Sequence, residues 1–269
     1  MVYEKFLRFI AYDTNRILRW KANDVTNHAS QFPRFYVTAP SICPYLDNRM
    51  ERKVFTDLED LNPDGLHEAL AKIGFRRSQD ISYRPNCDDC TECKSVRIPV
   101  APFAPSRSQR RLINLNADLI ITILSNVATR EHYHLLSEYL AKRHANGGMV
   151  NMTFDEYASM VESSPVDSCL IEYRLPATED SAQGKLIAVA LTDIMVEGLS
   201  MVYSFFNVNS IFHKRSIGTY LILDHVARAK HMDKEYVYLG YWVKDSPKMA
   251  YKKNFHPLEV LEADGWFLS

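Results

Sequence analysis

Apolar and polar positions follow one rhythm in the second half of this chain and another in the first. From residue 119 onward, short apolar runs alternate with turn chemistry. Leu-Ile-Ile-Thr-Ile-Leu at 119–124 reads as a buried strand. Thr129 stands as the cap of a helix reaching about Ala145, with Tyr133, Leu136 and Leu140 on one face and Gly147-Gly148 behind it. Thr153 with Glu156 forms a capping box for a shorter helix. Strands follow at 169–175, 185–196 and 199–206, the last two joined by a hairpin at Glu197-Gly198. A helix over 219–231 and a strand over 236–239, stopped by Gly240, make a βαβ unit. Ser246 reads as a further cap and Pro247 as the first residue of a helix ending near Asn254, since Pro257 disfavours helical geometry before it. Together these elements predict an α+β fold, an antiparallel sheet feeding a βαβ unit.

The first half is less regular. A strand begins at Phe35-Tyr36-Val37-Thr38, Asp64 caps a helix over 65–73 that Gly74 ends, and Ser95-Val-Arg-Ile-Pro-Val is strand-like. The proline-bearing stretch 99–105 reads as a linker, and Ser106 opens a basic helix beyond it. The expected organisation is a smaller α+β region over 33–105, carrying most of the cysteines, and a larger domain over 106–269. Residues 1–32 fit neither: their apolar positions are soon diluted by Asn, Thr and Asp, and no Met occurs between Met1 and Met50. The expectation is a poorly ordered extension, with translation starting at Val25 and residues 1–24 an artefact of start assignment.

Charge and cysteine usage narrow the chemistry. A net charge of −1 supplies no global field for nucleic acid, so any such contact rests on local basic patches. No run of 18 apolar residues exists, and no signal-peptide pattern opens the chain, which points to the cytoplasm and away from a membrane. Of five cysteines, three stand as Cys87-x-x-Cys90-x-x-Cys93. That spacing lets thiolates converge on one ion from a tight loop, with Cys43 as a fourth ligand; the alternative is a set of reduced structural thiols. Near the C-terminus, Tyr241 and Trp242 form an aromatic corner beside a predicted helix N-terminus, and Lys248 and Lys252 are four residues apart. The group suits a ligand with a ring and phosphates; the alternative is a core strand packed on a surface helix with solvated lysines. No histidine stands in a motif. Asp193, Asp224 and Glu172 are candidate proton acceptors that structural ion pairs would explain equally well.

Several motifs carry a resemblance. Tyr203-Ser-Phe-Phe followed by Arg215-x-x-Gly218-x-Tyr220 at a helix start resembles the acyl-CoA-type N-acetyltransferase fold, with Tyr220 where that fold's phosphate loop has a small residue. Cys43-Pro-Tyr-Leu, Gly74-Phe-Arg-Arg-Ser, Tyr83-Arg-Pro-x-Cys-x-x-Cys-x-x-Cys, Val96-Arg-Ile-Pro-Val and Leu239-Gly-Tyr-Trp-Val-x-x-Ser-x-Lys-Met-x-Tyr-Lys resemble the aminoacyl-tRNA–protein transferases over roughly 33–262. Within that family the compact bacterial leucyl-transferring form is the nearest pattern.

The resemblance implies transfer of an amino acid from aminoacyl-tRNA to the N-terminal amine of proteins beginning with Asp or Glu, marking them for degradation. It implies a monomer and no cofactor for the chemistry, with zinc or an iron–sulfur cluster at the cysteines. An acidic acceptor calls for an arginine fork, for which Arg76, Arg77, Arg84 and Arg97 are candidates. The tRNA end would stack on Tyr241 or Trp242, with Gly218, Arg215, Lys248 and Lys252 near phosphates. Three other readings stand beside it: an arginyl donor, a coenzyme A-dependent N-acetyltransferase that Tyr220 disfavours, and a non-enzymatic cysteine-cluster adaptor.

Overall fold

A computed structural model describes residues 33–269, apart from 59–61, 146, 180, 245, 247 and 248 and the side chains of 210 and 211. The expectations about residues 1–32 and the start at Val25 fall outside the described residues. The chain opens with strands β1 (Phe35–Val37), β2 (Ser41–Ile42), β3 (Met50–Glu51) and β4 (Lys53–Asp57). Helix α1 (Pro63–Lys72) is capped by Asn62, whose side chain accepts the Gly65 N–H, rather than by Asp64. Pro63, in the first turn, forfeits no hydrogen bond there. Strands β5 (Arg76–Ser78), β6 (Ile81–Pro85) and β7 (Lys94–Pro99) follow.

The capped helices appear as expected. Ser106 and Gln109 make a capping box on α2 (Arg107–Leu115). After β8 (Ile120–Leu124), Thr129 caps α3 (Arg130–Arg143), and Thr153 with Glu156 boxes α4 (Phe154–Glu162). Strands β9 (Ser168–Arg174), β10 (Leu186–Ile194) and β11 (Gly198–Phe206) lead through a 3-10 turn (Ser210–Arg215) to α5 (Ile217–His231) and β12 (Tyr236–Trp242). The helix expected from Pro247 is instead a 3-10 turn over Ala250–Asn254. Strands β13 (Glu259–Glu262) and β14 (Gly265–Leu268) end the chain. Among the described residues no helix is long and apolar enough to cross a membrane.

Two main sheets result. The smaller has the order β1-β4-β6-β5, and the larger β14-β13-β7-β12-β11-β10-β9-β8. In the larger sheet β10 and β11 form the expected hairpin, and α5 carries the chain from β11 to the parallel β12, the βαβ unit of the expected α+β fold. Strand β7, from the part of the chain expected to stand apart, lies between β13 and β12. The stretch 99–105 therefore joins parts of one sheet rather than two separate bodies, and 33–269 is one compact unit. Of the run at 119–124 only Leu119 is buried: the rest is β8, the sheet's last strand, paired only with β9, and Ile120 is 51% exposed. The main core lies between α5 and this sheet, and a second apolar cluster fills the space among α3, α4, β10 and β11.

Strands β11 and β12 pair only from Gly198↔Tyr236 to Ser200↔Tyr238. Beyond that point each carries a bulge. The β10–β11 register passes over Val202, and the β12–β7 register passes over Leu239. A bulge bends its strand and raises the local twist, and here the two strands part. Gly240, with φ of +73°, does not end β12 as expected but supplies the left-handed residue of its bend.

A buried ion pair fastens the smaller sheet to the larger. Arg77 on β5 donates from Nε at 3.0 Å and from Nη2 at 2.6 Å to the Asp193 carboxylate on β10, and both side chains are fully buried. His67 Nε2 of α1 stands 3.0 Å from the same carboxylate. Burial alone would raise the Asp193 carboxyl. The contact with His67, with the hydrogen bonds and charge of Arg77, holds it below its ordinary value instead. Asp193→Asn leaves a buried guanidinium without its counter-charge and should cost about 3–5 kcal/mol in urea unfolding. Because the folded carboxyl is depressed, the wild-type advantage is complete above the unfolded value of about 4 and fades as pH falls through the folded one. The two proteins should therefore converge in stability in acid.

Candidate active site

Where β11 and β12 part, a cleft of about 1780 Å³ opens in the face of the larger sheet. Its floor would be a row of carbonyls outside the β11–β12 ladder, and two cations occupy them. Arg76, reaching over from β5, donates from Nη1 to Leu239 O at 3.0 Å and from Nη2 to Met201 O at 2.7 Å and Val202 O at 3.0 Å. Lys252 comes up from the 3-10 turn and donates from Nζ to Leu239 O at 2.8 Å and to Tyr241 O. Gly240 makes room for this arrangement: a Cβ there would lie 1.0 Å from Arg76 Nη1. Among the described residues the Arg76 guanidinium makes no hydrogen bond to a carboxylate. Three of its five N–H groups are engaged and two remain.

Lys252 therefore corrects the reading of an exposed lysine face. It is 7% exposed, and burial together with the neighbouring Arg76 charge pushes its ammonium well below the ordinary lysine value. Lys252 sits in a 3-10 turn and not on the face of an α-helix. Lys248 lies outside the described residues.

One end of the cleft is the start of α5. Ser216 enters the helix in a left-handed conformation with no side-chain cap, and the residues from Ser216 to Thr219, Gly218 among them, line the cleft. Uncapped first-turn amides are a place for an anionic group. Tyr220 is turned away into the core, edge-on to Tyr173 with centroids 6.2 Å apart, so its bulk does not narrow this loop. The argument drawn from Tyr220 against coenzyme A loses its physical basis. Met149 and Met152 from the segment after α3, Met160 of α4 and Val202 of β11 also line the cleft, all four packed against the second apolar cluster.

The remaining candidates stand elsewhere. Arg77 is spent on Asp193. Arg97 is buried, bonded to Glu259 at 2.7 Å and to the Tyr238 hydroxyl, with its guanidinium 3.5 Å from the Tyr236 ring centroid and 4.2 Å from that of Trp266. Neither is open to a substrate carboxylate. Arg84 donates to Ile73 O and covers Phe75, outside the cleft. Arg215 forms a two-pronged pair with Asp118 at 2.7 and 2.8 Å. Trp242 packs against the main core and offers no face to the cleft. Tyr241 is buried, its hydroxyl donated to Tyr83 O at 2.9 Å and Gly74 O at 3.2 Å, so it serves as a wall and not as an open stacking platform. The candidate proton acceptors are likewise engaged: Asp224 by Tyr173 and Arg228, Glu172 by His132 and Arg174.

On the far side of Tyr241 lies a second cavity of about 280 Å³, lined by Cys43, Cys87, Cys90 and Cys93. The four thiols are free and half-buried, while Cys169 lies in the core. Burial pushes the Cys93 thiol up to about 12, and the like charge of Cys43, Cys87 and Cys90 adds to the shift, a sign of how closely the four converge. Among the described residues no three such side chains are arranged to hold an ion as they stand. The donor set, four thiols around one cavity, fits a thiophilic group.

With this geometry established, comparison with known proteins is specific. The chain matches the families described as arginine-tRNA-protein transferase, N terminus, over residues 41–111, and arginine-tRNA-protein transferase, C terminus, over 131–262. It is 51% identical to an aspartate/glutamate leucyltransferase of Sphingopyxis alaskensis over 88% of this chain and 91% of that one. It is 49% identical to a protein of the same name from Rhodopseudomonas palustris, over 90% and 94%, and 50% identical to one from Azorhizobium caulinodans, over 90% and 98%. Among solved structures, FemX aligns over 73% of this chain and 64% of its own, with a TM-score of 0.43 and 12% identity.

The packing of Gly240 against Arg76 is open to a double-mutant cycle. Gly240→Ala places a side chain at positive φ and onto the guanidinium, and should destabilise the protein by about 1–3 kcal/mol in urea unfolding from strain alone. Combined with Arg76→Ala the steric part disappears, so the double variant should lose clearly less than the sum of the two single losses.

Proposed function

We propose that this chain, which belongs to the arginine-tRNA-protein transferase family, transfers leucine from leucyl-tRNA to the N-terminal amine of proteins that begin with Asp or Glu, in the cytoplasm and as a monomer. The chemistry asks little of acid–base groups. An N-terminal amine titrates near 7.7–8.0, so part of it is already a nucleophile at neutral pH, and the aminoacyl ester is an activated donor. The amine attacks the ester carbonyl, a C–N bond forms, and the C–O bond to the ribose breaks as the released hydroxyl takes up a proton. Alignment of the two reactants in one cleft supplies much of the rate. That fits a site in which Asp193, Asp224 and Glu172 are tied up in buried pairs and, among the described residues, no Ser-His-Asp set is assembled.

The observation that carries this reading is Arg76. Its guanidinium lies in the cleft and is fixed by three carbonyls, and among the described residues no carboxylate is bonded to it and two of its N–H groups make no hydrogen bond. An acidic side chain at the acceptor's N-terminus supplies the missing counter-charge, in the fork geometry arginine offers. The uncapped start of α5 suits the phosphate of the tRNA 3′ end. Assays with leucyl-tRNA and peptides that differ only in beginning with Asp or Asn test it. Wild type should favour Asp, and Arg76→Gln should lower the preference by roughly 30-fold, the equivalent of about 2 kcal/mol for a charged hydrogen bond. A variant that folds and still discriminates as wild type would remove Arg76 from this role.

We further propose that Cys43, Cys87, Cys90 and Cys93 hold zinc or an iron–sulfur cluster, which would brace the loop beside Tyr241 and take no part in the transfer. Protein purified without oxygen should contain one such group per chain by elemental analysis, and Cys43→Ser should lower its occupancy. Zinc and iron both at background would leave reduced structural thiols as the better account.

A further inference from the structure

The product of the proposed reaction places the donated residue directly before the acidic one. Consecutive Cα atoms are 3.8 Å apart across a trans peptide, so the places that hold the two side chains must be neighbours. On the transferase reading, the acidic side chain is held at Arg76, and the donor's side chain must then be held within about one residue of that guanidinium. One wall of the cleft meets the requirement. Arg76 Nη2 is bonded to Val202 O at 3.0 Å, and Val202 lines the cleft together with Met149, Met152 and Met160. These four belong to one cluster, half-buried against the core formed by α3, α4, β10 and β11. The segment that bears two of them is pinned, since the Tyr133 hydroxyl donates to Met152 O at 2.9 Å.

We infer that Met149, Met152, Met160 and Val202 form the pocket for the side chain of the donated residue and select an aliphatic one. The wall has the right chemistry. Three thioethers and a branched chain fill irregular space around an aliphatic group and offer no counter-charge. A guanidinium pressed against them would lose water without gaining a partner, at a cost that excludes it. Two acidic residues also line the cleft. The Glu156 carboxylate is folded back onto Thr153, 2.7 Å from its amide and 3.0 Å from its hydroxyl, and Asp155 stands at an exposed position, where water screens its charge. Val202 reaches the cleft because it is the residue the β10–β11 register passes over, so the bulge that parts the strands also sets the pocket's inner edge beside Arg76.

The direct test uses the intact wild-type protein and tRNA charged with a diazirine analogue of leucine. Irradiation of the complex in the presence of a non-nucleophilic acceptor peptide, followed by peptide mass mapping, should place the adduct on Met149, Met152, Met160 or Val202. An adduct on the α5 end of the cleft, at Phe212, Ile217 or Ile222, would overturn the inference. A second arm charges one tRNA with leucine, alanine, phenylalanine or arginine. Wild type should prefer leucine to alanine by tenfold or more, since a missing methylene in such a pocket is worth about 10–200-fold. Met152→Ala with Met160→Ala should shift the order toward phenylalanine, and Met160→Glu toward arginine. Folded variants that keep the wild-type order of donors would also sink it. Transfer from none of the four donors by wild type would strike the transferase reading itself, a result distinct from leucine transfer with an unmoved preference.

Discussion

A sheet that opens between two parallel strands exposes backbone carbonyls that its own ladder cannot satisfy, and the rest of this molecule is arranged around how they are met. Arg76 and Lys252 bond four of them, at Met201, Val202, Leu239 and Tyr241. Unpaired carbonyls in a partly dry cleft cost free energy on the scale of lost hydrogen bonds, so the cations permit the opening to persist without substrate. Because the Arg76 guanidinium is spent on neutral oxygens, its charge is not cancelled among the described residues. The same group that helps hold the strands apart thereby leaves a positive field in the floor of the cleft.

This arrangement explains why the arginines of the first half play such different parts. Arg76 and Arg77 are adjacent on β5 and point to opposite faces, as successive strand residues do. One reaches the parted strands, and the other is buried against Asp193 and holds the smaller sheet in place, so the second positions the first. Arg97, on β7, is committed to the seam with β13 and β14. Tyr241 serves two cavities at once: its ring stands by Arg76 in the cleft, while its hydroxyl is held by Gly74, a residue that also lines the cavity of the four cysteines. Whatever occupies the cysteine cavity shares a wall with the reaction cleft.

Local chemistry in the sequence foretold much of the fold. Ser106, Thr129 and Thr153 cap the helices they were expected to cap, because capping depends on residues within three positions of one another. The hairpin at Glu197-Gly198 and the βαβ unit were legible for the same reason. The candidate site was less so, since its partners are remote: Arg77 finds Asp193 116 positions away, Arg97 finds Glu259 after 162, and Arg76 finds Leu239 after 163. Which arginine stays free depends on which carboxylates the fold brings near, and no local pattern reveals that. Gly240 read as a stop because glycine interrupts strands, but a glycine between apolar strand residues also signals a bulge or a close approach, and here it is both. Lys252 looked solvated because the turn that carries it was expected to be α-helical. The three methionines carried no signal in sequence, being separated by segments whose approach only the fold creates.

The distance between Arg76 and β12 along the chain has a consequence during synthesis. A protein is made from its N-terminus, and the guanidinium leaves the ribosome long before the strand whose carbonyl it must bond. Until Leu239 and Lys252 have emerged and joined the sheet, the cleft has no floor, and the cation has nothing to hold it. A nascent or truncated chain thus has no working site, although it is made in a compartment crowded with charged tRNA. Long-range closure of this kind slows folding, and the floor of the cleft forms only once Lys252 has been made.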